Sequence, residues 1–271
     1  MIFDPFLKGR TGHPLLPELK RYRYAHRGYH DKPQIPENSL PAFRRAIERG
    51  WGAELDVHLL KDGTLAVFHD SELKRCTGAE GILEELTFSE MKALRLEGTA
   101  EQIPAFDEVL ELFEGKTPLI IELKTWKDNH RALSEAVCRR LDSYRGLFCI
   151  ESFDPRAVLD VKELRPECVR GQLAEDFLKE PQGLPYLRRY MLTNLLYNHK
   201  TQPDFVAYDF QSRLNRCNQR AVKDLGLQEV CWTIRSREDL AVCEAAGAIP
   251  IFERFDPEQD SPSADDPDMI Q

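Results

Sequence analysis

The chain has 271 residues, is 42% hydrophobic and carries a formal net charge of −9. That length suits one large catalytic domain, since α/β barrels run to about 250 residues, and the acidic balance excludes non-specific nucleic-acid binding, which needs a basic surface. The acidity is uneven: from Asp256 onward there are six acids and no bases, which leaves −3 for everything before it.

The first twenty residues, with Pro5, Pro14 and Pro17, read as an irregular arm (1–20) packed on or beside a domain spanning 21–255. A first strand is expected at 22–25. Ser39 then caps a helix, with Pro41 in its first turn, Ala42, Phe43, Ala46 and Ile47 on one side, and Gly50 as its stop. A second strand follows at 52–59, and Lys61-Asp62-Gly63-Thr64 is a hairpin turn leading into 65–68. From 71 to 102 the pattern breaks into short pieces around Gly78, Gly81 and Gly98, with one amphipathic segment near 88–94. This stretch reads as an excursion from the domain.

Further strands at 118–122, 147–151, 169–172, 205–208, 228–232 and 249–252 alternate with helical patterns, as parallel β/α units do. With the first two they make eight, the number that closes a TIM (β/α)8 barrel, an α/β fold whose active site lies at the C-terminal ends of its strands. The interval 174–204 has loops at Pro181, Pro185 and Pro203 around one helix near 187–196, and residues 256–271 have the composition of a disordered tail. Seven cysteines without a C-x-x-C pair, in apolar patterns such as Ala136-Val137-Cys138, predict reduced core thiols rather than disulfides or zinc ligands. The chain starts without a basic region and long apolar run, and no stretch reaches the ~18 apolar residues of a membrane span. No integral membrane segment and a cytoplasmic location are therefore expected; the oligomeric state is left open.

The chemistry concentrates between Ala25 and Asp70. In an extended strand residues i and i+2 share a face, so Glu54 and Asp56 project together while Leu55 and Val57 turn away. Two adjacent buried carboxylates repel unless a proton or cation sits between them, and hard divalent cations prefer carboxylate oxygen. The pair reads as half a metal site, because Trp51, Leu55, Val57, Leu59 and Leu60 mark the strand as buried. His26 and His69 each follow a short apolar or aromatic segment and so stand at strand ends, where imidazole can exchange protons near neutral pH. Arg27 is suited to bidentate phosphate contact. Together these residues point to metal-assisted phosphoester chemistry.

His26-Arg27-Gly28, Glu37-Asn38, Glu54-Leu55-Asp56 and His69-Asp70, in this order and spacing, resemble the signature of the glycerophosphodiester phosphodiesterase family. The resemblance continues through Ile103-Pro104-Ala105-Phe106, Ile121-Glu122-Leu123-Lys124, Glu151-Ser152-Phe153-Asp154-Pro155, Gly171-Gln172-Leu173 and Cys231-Trp232-Thr233-Ile234, covering residues 22–251. It implies a TIM barrel with a small inserted subdomain at 71–102 beside the mouth of the site. It implies one divalent cation, Mg²⁺ or Ca²⁺ with Mn²⁺ as a further option, held by Glu54, Asp56 and Glu122. His26 is then the base and His69 the acid, with Arg27 and Lys124 on the phosphate, Glu37 and Asn38 close to metal and substrate, and Trp232 lining the pocket. The implied substrate is a small glycerophosphodiester, cleaved to glycerol 3-phosphate and an alcohol; the head group is left open, and so is the nucleophile, glycerol 2-hydroxyl or water.

Two departures from the family pattern stand near the site. Arg235 replaces the Asn that commonly follows the Trp-Thr-aliphatic segment, and the last strand reads Gly247-Ala248-Ile249-Pro250-Ile251-Phe252-Glu253 in place of Gly-Val-Asp-Gly-Ile-Ile-Thr-Asp. Pro250 removes a ladder donor, which predicts imperfect pairing there. A lysophospholipase D or phospholipase-like barrel is the alternative enzyme, and a membrane-facing apolar or basic loop would favour it. A non-catalytic binding or scaffold barrel is the alternative of another kind, opposed by the retention of both histidines and all three acids.

Overall fold

The computed structural model describes residues 3–179 and 183–258. Nine strands form one sheet: β1 Tyr24–Ala25, β2 Gly52–Leu59, β3 Leu65–Val67, β4 Leu119–Leu123, β5 Phe148–Ser152, β6 Arg170–Ala174, β7 Phe205–Asp209, β8 Gln228–Ile234 and β9 Ile249–Phe252. All but β3 pair in parallel around a closed ring, and β1 seals it by pairing with β2 on one side and β9 on the other. β3 lies outside the ring, antiparallel to β2 with Val57 opposite Val67, as the hairpin signal predicts. The result is the expected eight-stranded (β/α)8 barrel with one extra strand.

Local sequence accounts for the elements that carry the site. Ser39 caps the helix Leu40–Glu48 by accepting from the Ala42 amide, and Ala42, Phe43 and Ala46 form its buried face. The helices His130–Leu141, Pro155–Leu164 and Arg237–Ala245 bury their apolar stripes against the outside of the barrel in the same way.

Inside the barrel, alternation stacks two kinds of layer. Tyr24, Ile120, Cys149, Leu173, Phe205, Val230 and Ile251 fill an apolar layer, onto which Leu16, Leu19 and Tyr22 from the N-terminal segment pack. Nearer the C-terminal ends of the strands, Asp56, Glu122 and Glu151 stand level on adjacent strands. The arm is fastened through Arg10, whose guanidinium donates to both Asp204 oxygens and to the Cys168 carbonyl.

Within 71–102, Leu73, Cys76, Leu83, Met91 and Leu96 pack together with Leu60 and Phe68 in one apolar cluster. β9 shows the irregularity expected around Pro250: Pro250 lies opposite Cys231, yet Phe252 lies opposite Ile234, so the β8–β9 register slips by one residue. Of the acidic stretch expected from residue 256, residues 259–271 lie outside the described residues, whereas Asp256 pairs with Arg49 at 2.8 Å and Glu258 accepts from Trp51 Nε1 at 3.0 Å. The seven cysteines are free and buried. Among the described residues no helix is long and apolar enough to cross a membrane.

Candidate active site

Glu54, Asp56 and Glu122 are buried, and one oxygen of each lies within 4.8 Å of the others. β2 supplies two of them by strand alternation, and β4 brings Glu122 level with Asp56. The cost of this crowding appears in their acidities. Burial, then Asp56 and Glu122, push Glu54 well above the ordinary carboxyl range, and burial with Asp56 lifts Glu122 to about 7 although Lys124 pulls the other way. Asp56 moves down despite its burial, because Lys124, His69, Arg27 and the Asn38 amide favour its charge. An all-oxygen set of mutually repelling acids is the environment a hard divalent cation relieves.

The first β/α loop folds over this group. Arg27 and Asn38 both adopt left-handed backbone conformations, at φ of 55° and 52°, which non-glycine residues hold only where surrounding structure enforces them. In this conformation the Arg27 amide donates to Glu54 Oε2 at 3.0 Å, and Asn38 Nδ2 donates to Asp56 Oδ2 at 2.8 Å. Gly28 follows at φ 77°, and a Cβ there would press into the Ala42 backbone. The Arg27 side chain lies 3.5 Å from Asp56 and donates to Glu37. Lys124 sits 3.0 Å from Glu122 and 3.4 Å from Asp56; against burial, these two carboxylates raise its pKa.

The two histidines flank the acids, each with a carboxylate on Nδ1. His26 Nδ1 meets Glu253 Oε2 at 2.8 Å, and its Nε2 lies 3.9 Å from Glu54 Oε2. His69 Nδ1 meets Asp70 Oδ1 at 2.5 Å. An ionised carboxylate only accepts, so each ring carries a proton on Nδ1 and presents Nε2 as the reacting nitrogen, bare in a neutral ring and protonated in an imidazolium. Burial, then Arg27, lowers His26 to about 4 against the pull of Glu253; burial also lowers His69.

The structure thus brings His26, Arg27, Asn38, Glu54, Asp56, His69, Glu122 and Lys124 together. Glu37 stands one step back, where it gathers Arg27, Arg75 and Lys32 rather than joining the three acids. With Cys76 and Glu97 it makes a second group of possible ligands, but those three basic side chains already answer the Glu37 charge, and burial keeps the Cys76 thiol near 12. Trp232 donates from its indole to the Ala207 carbonyl and packs edge-on against Phe153. Phe153 in turn lines a cavity of about 730 Å³ with His69, Asp70, Glu122 and Lys124. A second cavity, about 450 Å³, opens beside His26, Arg27, Arg235 and Glu253.

Four residues outside the expected set complete the surroundings. Glu253 holds His26, Arg75 of the inserted unit clamps Glu37 and Asp70, and Glu151 is a fourth buried acid level with Glu122. His58, next on the Glu54–Asp56 face, is tied to Glu84 of the insertion at 2.7 Å and to the His69 carbonyl at 3.2 Å. Alternation along β2 was the available signal for His58; Glu253 had none, because its partner lies at the opposite end of the chain.

The sequence model of the glycerophosphoryl diester phosphodiesterase family matches residues 26–253. The chain belongs to that family. Its members are phosphoric diester hydrolases, and the match runs from His26 to Glu253, the two residues that meet across the barrel seam. A glycerophosphodiester phosphodiesterase of Caldanaerobacter subterraneus subsp. tengcongensis is 32% identical over 245 residues, 86% of this chain and 94% of that protein. Among solved structures, an Oleispira antarctica phosphodiesterase in complex with sn-glycerol-3-phosphate superposes at a TM-score of 0.72, with 24% identity over 90% of this chain and 95% of its own. A Thermotoga maritima glycerophosphodiester phosphodiesterase gives 0.65 and 25% over 86% and 94%.

Proposed function

We propose that this phosphodiesterase hydrolyses glycerophosphodiesters to glycerol 3-phosphate and an alcohol, with His26 and His69 as the proton-transfer pair. One observation carries the reading: three buried carboxylates within 4.8 Å of one another lie between two histidines whose Nδ1 atoms are each held by a further acid. The name of the Caldanaerobacter relative and the product bound to the Oleispira neighbour support the same substrate class.

Glu54, Asp56 and Glu122 would hold a divalent cation, Mg²⁺, Ca²⁺ or Mn²⁺, which when bound supplies Lewis-acid polarisation of a phosphoryl oxygen. Arg27 and Lys124 bring two fixed positive charges to the same place and stabilise charge on the remaining phosphoryl oxygens. His26, kept neutral by burial, accepts the proton of the attacking hydroxyl at Nε2. His69, as an imidazolium whose Nδ1 proton is held by Asp70, donates its Nε2 proton to the oxygen that leaves when the phosphorus–alkoxide bond breaks, so that an alcohol departs and not an alkoxide. Phe153, backed by Trp232, walls the larger cavity on the His69 side, where the leaving group has room.

The test is release of glycerol 3-phosphate from glycerophosphocholine and glycerophosphoethanolamine by chelated protein and again after Mg²⁺, Mn²⁺ or Ca²⁺ is restored. Metal-dependent release that disappears in Glu54→Ala and His26→Ala is expected. Release that survives chelation, or none with any of the three ions, would overturn the reading.

A further inference from the structure

We propose that Arg235 and Glu253 form a positioning pair that sets the ring orientation and tautomer of His26; the inference rests on the role given to His26 above. Three consecutive barrel elements supply the parts. His26 follows β1, Glu253 follows β9, Arg235 follows β8, and these strands are neighbours in the closed ring. The backbone knits their ends together: the His26 amide donates to Phe252 O at 2.8 Å, and the Glu253 amide to Ile234 O at 3.0 Å.

The one-residue slip between β8 and β9 decides which side chain stands beside Glu253. In the register that aligns Pro250 with Cys231, Glu253 would stand level with Ile234; in the register that aligns Phe252 with Ile234, it stands level with Arg235. The slip therefore replaces an aliphatic neighbour with a guanidinium. Arg235 Nε donates to Glu253 Oε1 at 2.7 Å, while Oε2 accepts from His26 Nδ1 at 2.8 Å. The carboxylate is thus held at both oxygens and cannot rotate without breaking one bond.

Among the described residues, Arg254 Nε, 3.3 Å from Oε1, and His30 Nε2, 3.7 Å from Oε2, are the other charged or titratable groups facing it. The Arg254 side chain is 69% exposed against 50% for Arg235, so Arg235 is the firmer brace. Arg235, one departure from the family pattern, thus contacts Glu253 at the end of the atypical last strand, the other departure. Neither has been assigned contact with substrate; each acts through His26.

The experiment uses the full chain with Mn²⁺ or Mg²⁺ for kinetics and with Mg²⁺ for ¹⁵N-histidine NMR. Wild type is expected to show His26 protonated on Nδ1. Glu253→Ala should lose that fixed tautomer and lower kcat at least a hundredfold with KM within about twofold. Glu253→Gln, whose amide oxygen can still accept from Nδ1, should keep the tautomer and recover part of kcat. Arg235→Ala, at a half-exposed side chain, should lower kcat about tenfold with the unfolding midpoint kept, and Arg235→Lys should restore part of it. An Nδ1–H tautomer that survives unchanged in Glu253→Ala overturns the proposal whatever the activity. So does a kcat in Arg235→Ala equal to wild type. If wild type releases no glycerol 3-phosphate the proposed reaction falls, yet the tautomer in Glu253→Ala still decides whether the pair positions the ring.

Discussion

Glu122 allows the strain in the carboxylate group to be measured as stability. Burial and Asp56 lift its pKa from 4.5 to about 7, although Lys124 opposes them. A carboxyl whose folded pKa lies above its unfolded one favours the folded state while protonated, and that contribution is lost as pH rises from about 4.5 through about 7. At 1.36 kcal/mol per pKa unit the loss is on the order of 3 kcal/mol, roughly 5–10 °C in unfolding midpoint for a chain of this size. A cation present at a hundred times its Kd returns about 2.7 kcal/mol, because it binds the folded state alone.

The assay is thermal unfolding of metal-free wild type and Glu122→Gln at pH 5 and pH 8, repeated with Mn²⁺. Wild type should fall further than the variant between the two pH values, by roughly the shift above, and Mn²⁺ at pH 8 should restore most of it. Glu122→Gln should lose less as pH rises, with Glu54 still titrating above its ordinary range, and should answer Mn²⁺ weakly. Equal pH dependence in the two proteins, or an undiminished Mn²⁺ response in the variant, would refute the reasoning that these acids are held together against their own charge.

Other substitutions test separate parts of the account. His69→Ala should cost about 10²–10⁴ in kcat, the usual worth of a positioned proton donor, while the Mn²⁺-induced rise in unfolding temperature stays intact; loss of that rise would make His69 part of the cation site instead. Gly171→Ala should destabilise by about 1–3 kcal/mol in urea unfolding, because a Cβ there collides with the Phe205 ring inside the barrel; an unchanged midpoint would show that the ring can move aside. Arg10→Ala should cost about 2 kcal/mol, since it strips the forked partner from the fully buried Asp204 carboxylate. An equal loss from Asp204→Asn with Arg10 retained would be consistent with that pairing, and no loss from either would contradict it.

What could be read from the chain depended on how local the physics was. Glu54 and Asp56 were legible because strand alternation and a flanking apolar run fix their shared face within a few residues. His69 and Asp70 announced each other by adjacency. The strand count, and with it the barrel, followed from apolar runs alternating with capped helices, and Ser39 marks one of those caps plainly. The Glu253–His26 bond was hidden because it spans the seam where β9 meets β1, and closure of a barrel leaves no trace in local pattern. The expected weakness at Pro250 pointed to the right place, yet its consequence, a slipped register that sets Arg235 beside Glu253, needed the ladder itself. The segment 71–102 was visible as a loss of periodicity; that its Arg75 reaches back to Glu37 and Asp70, and its Glu84 to His58, was not. The arm was expected on or beside the domain, and only the fold shows its Leu16 and Leu19 against the apolar layer of the barrel.

The most direct test of the central claim is the anomalous scattering of Mn²⁺ soaked into crystals of the wild-type protein. A single strong peak is predicted among Glu54, Asp56 and Glu122, with an oxygen of each at about 2.0–2.6 Å, the range for hard divalent cations. The peak should be absent in Glu54→Ala crystals. An ion found instead among Glu37, Cys76 and Glu97, or bound undiminished in Glu54→Ala, would contradict the account.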